Sequence, residues 1–266
     1  MWHRHWSLTF NPFDERRPTF VPAPSHAEAR ARLIHTIESA SRSARLIAGP
    51  GLGKSIVLGR AIEATRSPAR RFARVSGLAD GQAWIASLVE RLGGRVATDA
   101  PRGQAWKALG EAARLCRWQG LHLVIVVDDC QALDQPGERL DLERLDHLDL
   151  DPSARLTILR IGRPDGLEPG PTSWDLAIRL EALTRSEAAG YLAAKLEKAG
   201  RVEPVFTPRA MTRLHAHSGG IPRGLDRLAG FALIAGADRG LEIISPEVVD
   251  STASECLGDA IFTGMA

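Results

Sequence analysis

Lysine is scarce in this chain. Only Lys54, Lys107, Lys195 and Lys198 are lysine among its 34 basic residues; the other thirty are arginine. Such a bias follows genome composition as readily as function, so arginine clusters carry little weight by themselves. Excess charge of either sign is missing too. With 34 basic against 32 acidic residues the net charge is +2, which makes no global electrostatic case for nucleic acid. Cysteine occurs three times, at Cys116, Cys130 and Cys256, with no CxxC or Cys/His spacing. That excludes a disulfide framework and a zinc knuckle, and it fits a reduced, cytoplasmic setting. No apolar run approaches the roughly 18 residues of a membrane span. The opening MWHRHWSLTF has no signal-peptide h-region. Any membrane role is therefore expected to be peripheral or through a partner, without direct insertion. There is no internal repeat and no low-complexity tract.

What is present is the composition of a globular protein, 44% hydrophobic and 25% charged, in 266 residues. That length allows one large domain, or one large and one small. One stretch organises it. Ala48-Gly49-Pro50-Gly51-Leu52-Gly53-Lys54-Ser55 follows the apolar run Ala44-Arg45-Leu46-Ile47 and precedes Ile56-Val57-Leu58 and Ala61-Ile62 at helical spacing. A strand enters a glycine-rich turn that opens a helix, the setting of a phosphate-binding P-loop of the form G-x-x-x-x-G-K-[ST]. Ala48 replaces the first glycine and is small enough to be tolerated. Gly51 and Gly53 let backbone N–H groups turn inward. Lys54 brings a point charge to the β- and γ-phosphates of ATP, and the Ser55 hydroxyl, opening the helix, is placed for Mg²⁺. The helix N-terminus adds a positive field. Ala48 through Ile56 are thus the expected nucleotide-binding residues.

Residues 1–26 form a leader rich in proline and aromatics, including Trp2, Trp6, Phe10, Phe13 and Phe20. Proline interrupts regular ladders, so an irregular segment packed on the core is expected. Ser25 reads as an N-cap with Glu28 closing a capping box, starting a helix through Leu33 and Ile37. Beyond the loop, the pattern predicts a strand at 70–75, helices at 80–93 and 103–117, with Gly93-Gly94 ending the first, and strands at 122–127 and 156–161. Strands alternating with helices predict a parallel sheet. From about Leu183 helical periodicity takes over, at 184–199, 207–217, 222–236 and 246–258, with no further strong strand. The expected organisation is a leader (1–26), an α/β nucleotide-binding domain (27–182) and a small all-α lid domain (183–266). The run Asp141–Asp151 (DLERLDHLDLD) reads as an amphipathic helix with a solvated acidic face. It lacks the spacing of a Ca²⁺ loop.

His122–Val127 is almost continuously apolar, as a central parallel strand buried on both faces should be. It ends in Asp128-Asp129. A carboxylate at the C-terminal end of such a strand is where a nucleotide enzyme holds Mg²⁺, so Asp128 joins Ser55 as a metal residue. Asp129 stands where a water-polarising glutamate is common and is one methylene shorter. It is the expected catalytic base. Its shorter reach is expected to cost rate, since a misplacement near 1 Å can cost about 100-fold.

With these motifs in place the chain resembles the AAA+ ATPases, and within them the ExeA/GspA type first named from bacterial general secretion. The opening His5-Trp6-Ser7-Leu8-Thr9-Phe10-Asn11-Pro12-Phe13 is similar to that family's "FGL…NPF" leader. Ala48–Ser55 matches its Walker A. Val126–Leu133 resembles a Walker B reading "IDEAQ-x-L". Leu156–Pro164 resembles a strand ending in "GQP", and Leu180–Gly200 the lid entry. Ser218-Gly219-Gly220-Ile221-Pro222-Arg223 matches "SGGIPR". The resemblance implies a P-loop NTPase (AAA+) parallel sheet flanked by helices with an all-α lid, ATP and Mg²⁺ held between sheet domain and lid, and a homo-oligomer. It implies Arg223 as a sensor-2 residue facing the γ-phosphate, and Arg179 as an arginine finger toward a neighbouring subunit's nucleotide. Arg163 stands where the family's sensor-1 glutamine is usual. The two departures, Asp129 and Arg163, give the expectation of good ATP binding with slow hydrolysis. The function implied is a secretion-associated ATPase switch partnered by a secretion-machinery protein. ExeA-like proteins are membrane-tethered with a peptidoglycan-binding part, neither of which is found in these 266 residues. Two alternatives remain. One is an ATP-dependent, DNA-binding regulator of transposition, similar to TnsC, TniB and MuB, with duplex DNA and a transposase as partners. The basic pairs Arg16-Arg17 and Arg70-Arg71 would be its thin support. The other is a nucleotide-binding scaffold with little hydrolysis.

Overall fold

The computed structural model describes residues 2–14, 19–97, 100–167 and 176–257. Arg16-Arg17 and the end of the chain lie outside them. In chain order the elements are α1 (Trp2–His5), α2 (Pro24–Glu38), β1 (Ser43–Ile47), α3 (Lys54–Thr65), β2 (Arg70–Ser76), α4 (Gly77–Asp80), α5 (Trp84–Arg91), α6 (Arg102–Trp118), β3 (His122–Asp128), α7 (Pro136–Arg144), β4 (Leu156–Gly162), β5 (Leu176–Arg179), α8 (Arg185–Lys198), α9 (Pro208–Ser218), α10 (Pro222–Asp238) and α11 (Pro246–Leu257). They form two compact units. One comprises residues 28–49 and 54–180, the other 1–27, 50–53 and 181–266.

The first unit is built on a parallel sheet of order β2-β3-β4-β1-β5. Every residue of β1, β3 and β4 is buried, which in β3 reads as an almost unbroken apolar run, while β1 and β4 also bury Arg45 and Arg160. Trp84, Ile85, Leu88 and Val89 of α5 and Leu109 and Ala113 of α6 share a core with Ile125 and Val127 of β3. The edge strand β5 is not anticipated by the sequence pattern. It has four residues with only Ile178 buried, too short for an alternation to register.

Three local expectations are corrected. The helix α2 begins at Pro24, so Ser25 lies inside it; proline is favoured in a first turn, and Glu28 pairs instead with Arg32 at 2.5 Å. The single helix expected at 80–93 is broken by Gly81, which adopts φ +49° between α4 and α5. The acidic stretch is not a solvated helical face. Helix α7 stops at Arg144, and Asp141, 1% exposed, accepts the Trp106 indole N–H at 2.8 Å and also pairs with Arg102. Asp146 pairs with the buried Arg160 at 2.7 Å. At Asp141 and Asp146 the charge interleaved with leucine is internal ion pairing, while Glu143 and Asp151 are exposed.

His122 opens β3 fully buried. The Thr157 hydroxyl donates to the Ser41 carbonyl at 2.7 Å, so its oxygen accepts from His122 Nε2 at 2.9 Å. This leaves buried Nδ1 with no hydrogen-bond partner among the described residues. Burial, then Arg155 and Arg70, push the imidazole down to about 4. A folded value below the unfolded 6.5 means the unfolded chain takes up the proton first as pH falls. Stability is therefore expected to be flat above about pH 6.5 and to decline toward pH 4, by about 2–3 kcal/mol from this group. Denaturant titrations at pH 7, 5.5 and 4.5 check this, with His122→Gln showing a shallower decline.

The second unit holds α8–α11 and the leader in one apolar cluster. Trp6, Leu8 and Phe13 lie there among Leu192, Leu196, Leu225, Leu228, Leu233 and Val249. Helix α8 starts on a capping box of Thr184 and Glu187, and Thr207 caps α9 through the N–H of Ala210. The buried ammonium of Lys195 meets Asp226 at 2.5 Å, whose same oxygen takes the Tyr191 hydroxyl at 3.0 Å.

Candidate functional site

Strand β1 delivers the glycine-rich loop. The Ala48 N–H donates to the Gly162 carbonyl at 3.1 Å, carrying the β1–β4 pairing into the turn. Gly51 (φ +75°) and Gly53 (φ +91°) are left-handed, where a side chain is strained whatever the space. Helix α3 starts at Lys54, one residue before the expected Ser55. The Lys54 ammonium folds back to the carbonyls of Ala48 (2.7 Å) and Gly49 (2.9 Å). Ser55 and Ile56 are exposed on the first turn of α3.

Residues 50–53 belong with the helical unit, and two contacts inside that unit define the loop's tip. The Arg223 N–H donates to the Gly51 carbonyl at 3.3 Å. A Cβ on Gly51 would stand 2.9 Å from Ile221 Cγ2 and 3.3 Å from Arg223 Cβ. The structure thus brings Arg223 to the loop, as the second residue of α10, with its side chain exposed. The preceding Gly219 and Gly220 are both left-handed. Gly220 runs so close to the Leu183 carbonyl that no Cβ fits, and its own carbonyl takes the Leu183 N–H at 2.9 Å. Gly220 before Ile-Pro-Arg is therefore a packing requirement that helps place α10, whereas a Cβ on Gly219 would meet open space and only its positive φ favours glycine. Buried His26, on the same unit, holds the Leu52 carbonyl at 2.8 Å. A carbonyl only accepts, so Nε2 carries the proton.

At the C-terminal end of β3 the two acids have separate partners. Asp128 is buried; Oδ1 accepts the N–H of Asp129 at 2.9 Å and Oδ2 pairs with Arg74 at 2.5 Å. Asp129 sits at φ +52°, turning its side chain out of the strand direction. Its Oδ2 accepts the Ser76 hydroxyl at 2.9 Å and its Oδ1 the Gln131 amide at 3.3 Å. The next residue, Cys130, has its thiol pushed up to about 12 by burial, so it stays protonated and inert. Arg163 follows β4 with its side chain exposed, its N–H donating to Gln131 Oε1 at 3.1 Å. Arg179 ends β5 in register with Ile47, beside the strand that feeds the loop of its own chain.

Four residues with clear contacts to these groups escaped the sequence reading as site residues: His26, Arg74, Ser76 and Gln131. Arg74 and Ser76 reach the acids only because β2 pairs in parallel with β3, Ser76 opposite Asp128. That register is invisible before the strands are paired. Among the described residues no group of three or more His, Cys, Asp or Glu is placed to hold a metal ion, and no helix is long and apolar enough to cross a membrane.

The fold is that of the AAA+ P-loop ATPases. ORC1 of Aeropyrum pernix, solved in complex with DNA, superposes with a TM-score of 0.68 at 19% identity, covering 95% of this chain and 69% of that one. ORC2 of Aeropyrum pernix, in ADPNP-ADP complexes, gives 0.63 at 18%, covering 92% and 71%. In sequence the chain resembles general secretion pathway protein A of Aeromonas hydrophila, with 34% identity over 147 residues. That match takes in 52% of this chain and 27% of the relative, so the chain spans only about a quarter of that protein's length. No protein-family model matches.

Proposed function

We propose that the chain is an ATP-binding switch of the ExeA type that hydrolyses ATP slowly. The observation that carries this is the loop itself. Two glycines at positive φ and a lysine folded onto its own turn form a cradle that a Cβ would spoil. The donor set suits a magnesium nucleotide: backbone N–H groups and Lys54 for phosphate, and the Ser55 hydroxyl and Asp128 carboxylate, both hard oxygens, for Mg²⁺. Bound there, Mg²⁺ would neutralise charge on the β- and γ-phosphates.

The residues divide the work. Ala48–Ile56 orient the phosphates. Asp128, whose Oδ2 pairs with Arg74 at 2.5 Å, would hold the metal together with Ser55. Asp129 orients the attacking water and takes up its proton as the water oxygen bonds to the γ-phosphorus and ADP leaves. With both of its oxygens already accepting hydrogen bonds, Asp129 is held back, which supports slow turnover. Arg223, tied through its backbone to Gly51, reads the γ-phosphate. For Arg179 we propose the arginine-finger role in a homo-oligomer. The name of the curated relative favours a secretion-machinery partner over transposition.

The test is a titration with a fluorescent ATP analogue, with and without Mg²⁺, alongside single-turnover phosphate release. Mg²⁺-dependent binding and slow release are expected. Asp129→Asn should bind within about threefold of wild type and hydrolyse at least tenfold more slowly. Absence of nucleotide binding would overturn the reading, and rapid turnover without a partner would overturn the slow switch.

A further inference from the structure

Gln131 lies two residues past the catalytic candidate and uses both ends of its amide. Its Nε2 donates to Asp129 Oδ1 at 3.3 Å, and its Oε1 accepts the backbone N–H of Arg163 at 3.1 Å. The loop after β4 is shaped around it. A Cβ on Gly162 would stand 3.0 Å from Gln131 Oε1, and one on Gly166 would run into the Gln131 backbone. Gly166 is itself held by its N–H to the Arg163 carbonyl at 3.1 Å. Only a side chain offering a donor and an acceptor at this length spans from the Asp129 carboxylate to that backbone N–H. Glutamate has the shape but no donor when ionised, and it sets a like charge against Asp129.

We propose that Gln131 is a positioning residue that couples the aim of the Asp129 carboxylate to the position of the loop carrying Arg163. The inference rests on the reading of Asp129 as the water-orienting group. A displacement of Arg163 pulls on the amide, and the amide moves the carboxylate. The loop therefore governs the hydrolytic step while the phosphate cradle, which Gln131 does not touch, keeps its affinity. This gives the Gly162-Arg163 segment a role through its backbone, independent of which side chain stands at 163.

The experiment compares wild type, Gln131→Ala, Gln131→Glu, Arg163→Ala and Asp129→Asn for affinity toward a fluorescent ATP analogue with Mg²⁺ and for single-turnover hydrolysis. Gln131→Ala and Gln131→Glu are expected to bind within about threefold of wild type and to hydrolyse at least tenfold more slowly. Arg163→Ala, which keeps the N–H, is expected to stay closer to wild type than either. Adding Gln131→Ala to Asp129→Asn is expected to cost nothing further, since the two act on one carboxylate. Gln131→Glu is isosteric and guards against a simple packing defect. If Asp129→Asn slows hydrolysis while both Gln131 variants match wild type, the coupling is wrong and the nucleotide reading stands. If wild type neither binds nor hydrolyses ATP, both fall together.

Discussion

Replacing Trp6 by alanine is expected to lower the unfolding free energy of the helical unit by about 3–5 kcal/mol, as for large aromatic truncations in closed cores. Trp6 is 2% exposed and lies with Leu8 and Phe13 in the cluster formed by α8–α11. Its indole N–H donates to the Leu233 carbonyl at 2.8 Å. Helix α10 is cut to receive the ring: a Cβ on Gly236 would stand 2.8 Å from Trp6 Cζ2. The alanine variant loses both the apolar burial and the hydrogen bond, and α10, already glycine at 236, cannot close the gap. Trp6→Phe keeps most of the ring and is expected to cost about 1–2 kcal/mol. Urea denaturation followed by near-ultraviolet circular dichroism measures both. An unchanged midpoint in Trp6→Ala would show that the leader is an appendage of the core and not part of it.

The leader illustrates what the sequence could and could not disclose. Phe10 is 42% exposed, whereas Trp6 and Phe13 are buried, as large rings on a proline-interrupted segment suggest. Which core they enter is a long-range fact, and the indole's partner lies 227 positions away. The central strands were legible because burial on both faces erases alternation, leaving runs such as Leu123–Val127. Strand β5 was not, since four edge residues with one inward side chain leave no period to detect. The glycine-rich turn between β1 and α3 is legible because the positive φ of Gly51 and Gly53 is a local demand. The acids of 141–151 were misread because an amphipathic count sees charge but not its partners. Asp141 is buried against Trp106 and Arg102 from a different helix. Around Asp128 and Asp129 the sequence displays the two carboxylates but not their partners, because Arg74 and Ser76 arrive by strand register.

Lys54→Ala is expected to weaken Mg²⁺-nucleotide affinity by at least 100-fold, about 3 kcal/mol, with little change in fold stability. The ammonium is the loop's own positive charge and is anchored by the carbonyls of Ala48 and Gly49, at 2.7 and 2.9 Å. On the proposed reading its removal deletes charge-assisted hydrogen bonds to phosphate, and it also deletes two bonds that hold the turn's entry against its exit. Both losses fall on binding. The partly exposed lysine contributes little to the core, so the midpoint of unfolding should move by less than about 1 kcal/mol. Lys54→Arg should not restore affinity. A planar guanidinium is wider than an ammonium and cannot sit on two carbonyls of one tight turn while reaching phosphate as a point charge. Affinity from a fluorescent ATP analogue, set beside the denaturation midpoint, separates the two effects. If Lys54→Ala binds as tightly as wild type, the glycine-rich loop is not where phosphate is held, and the roles assigned to Ser55, Asp128 and Arg223 lose their common reference point.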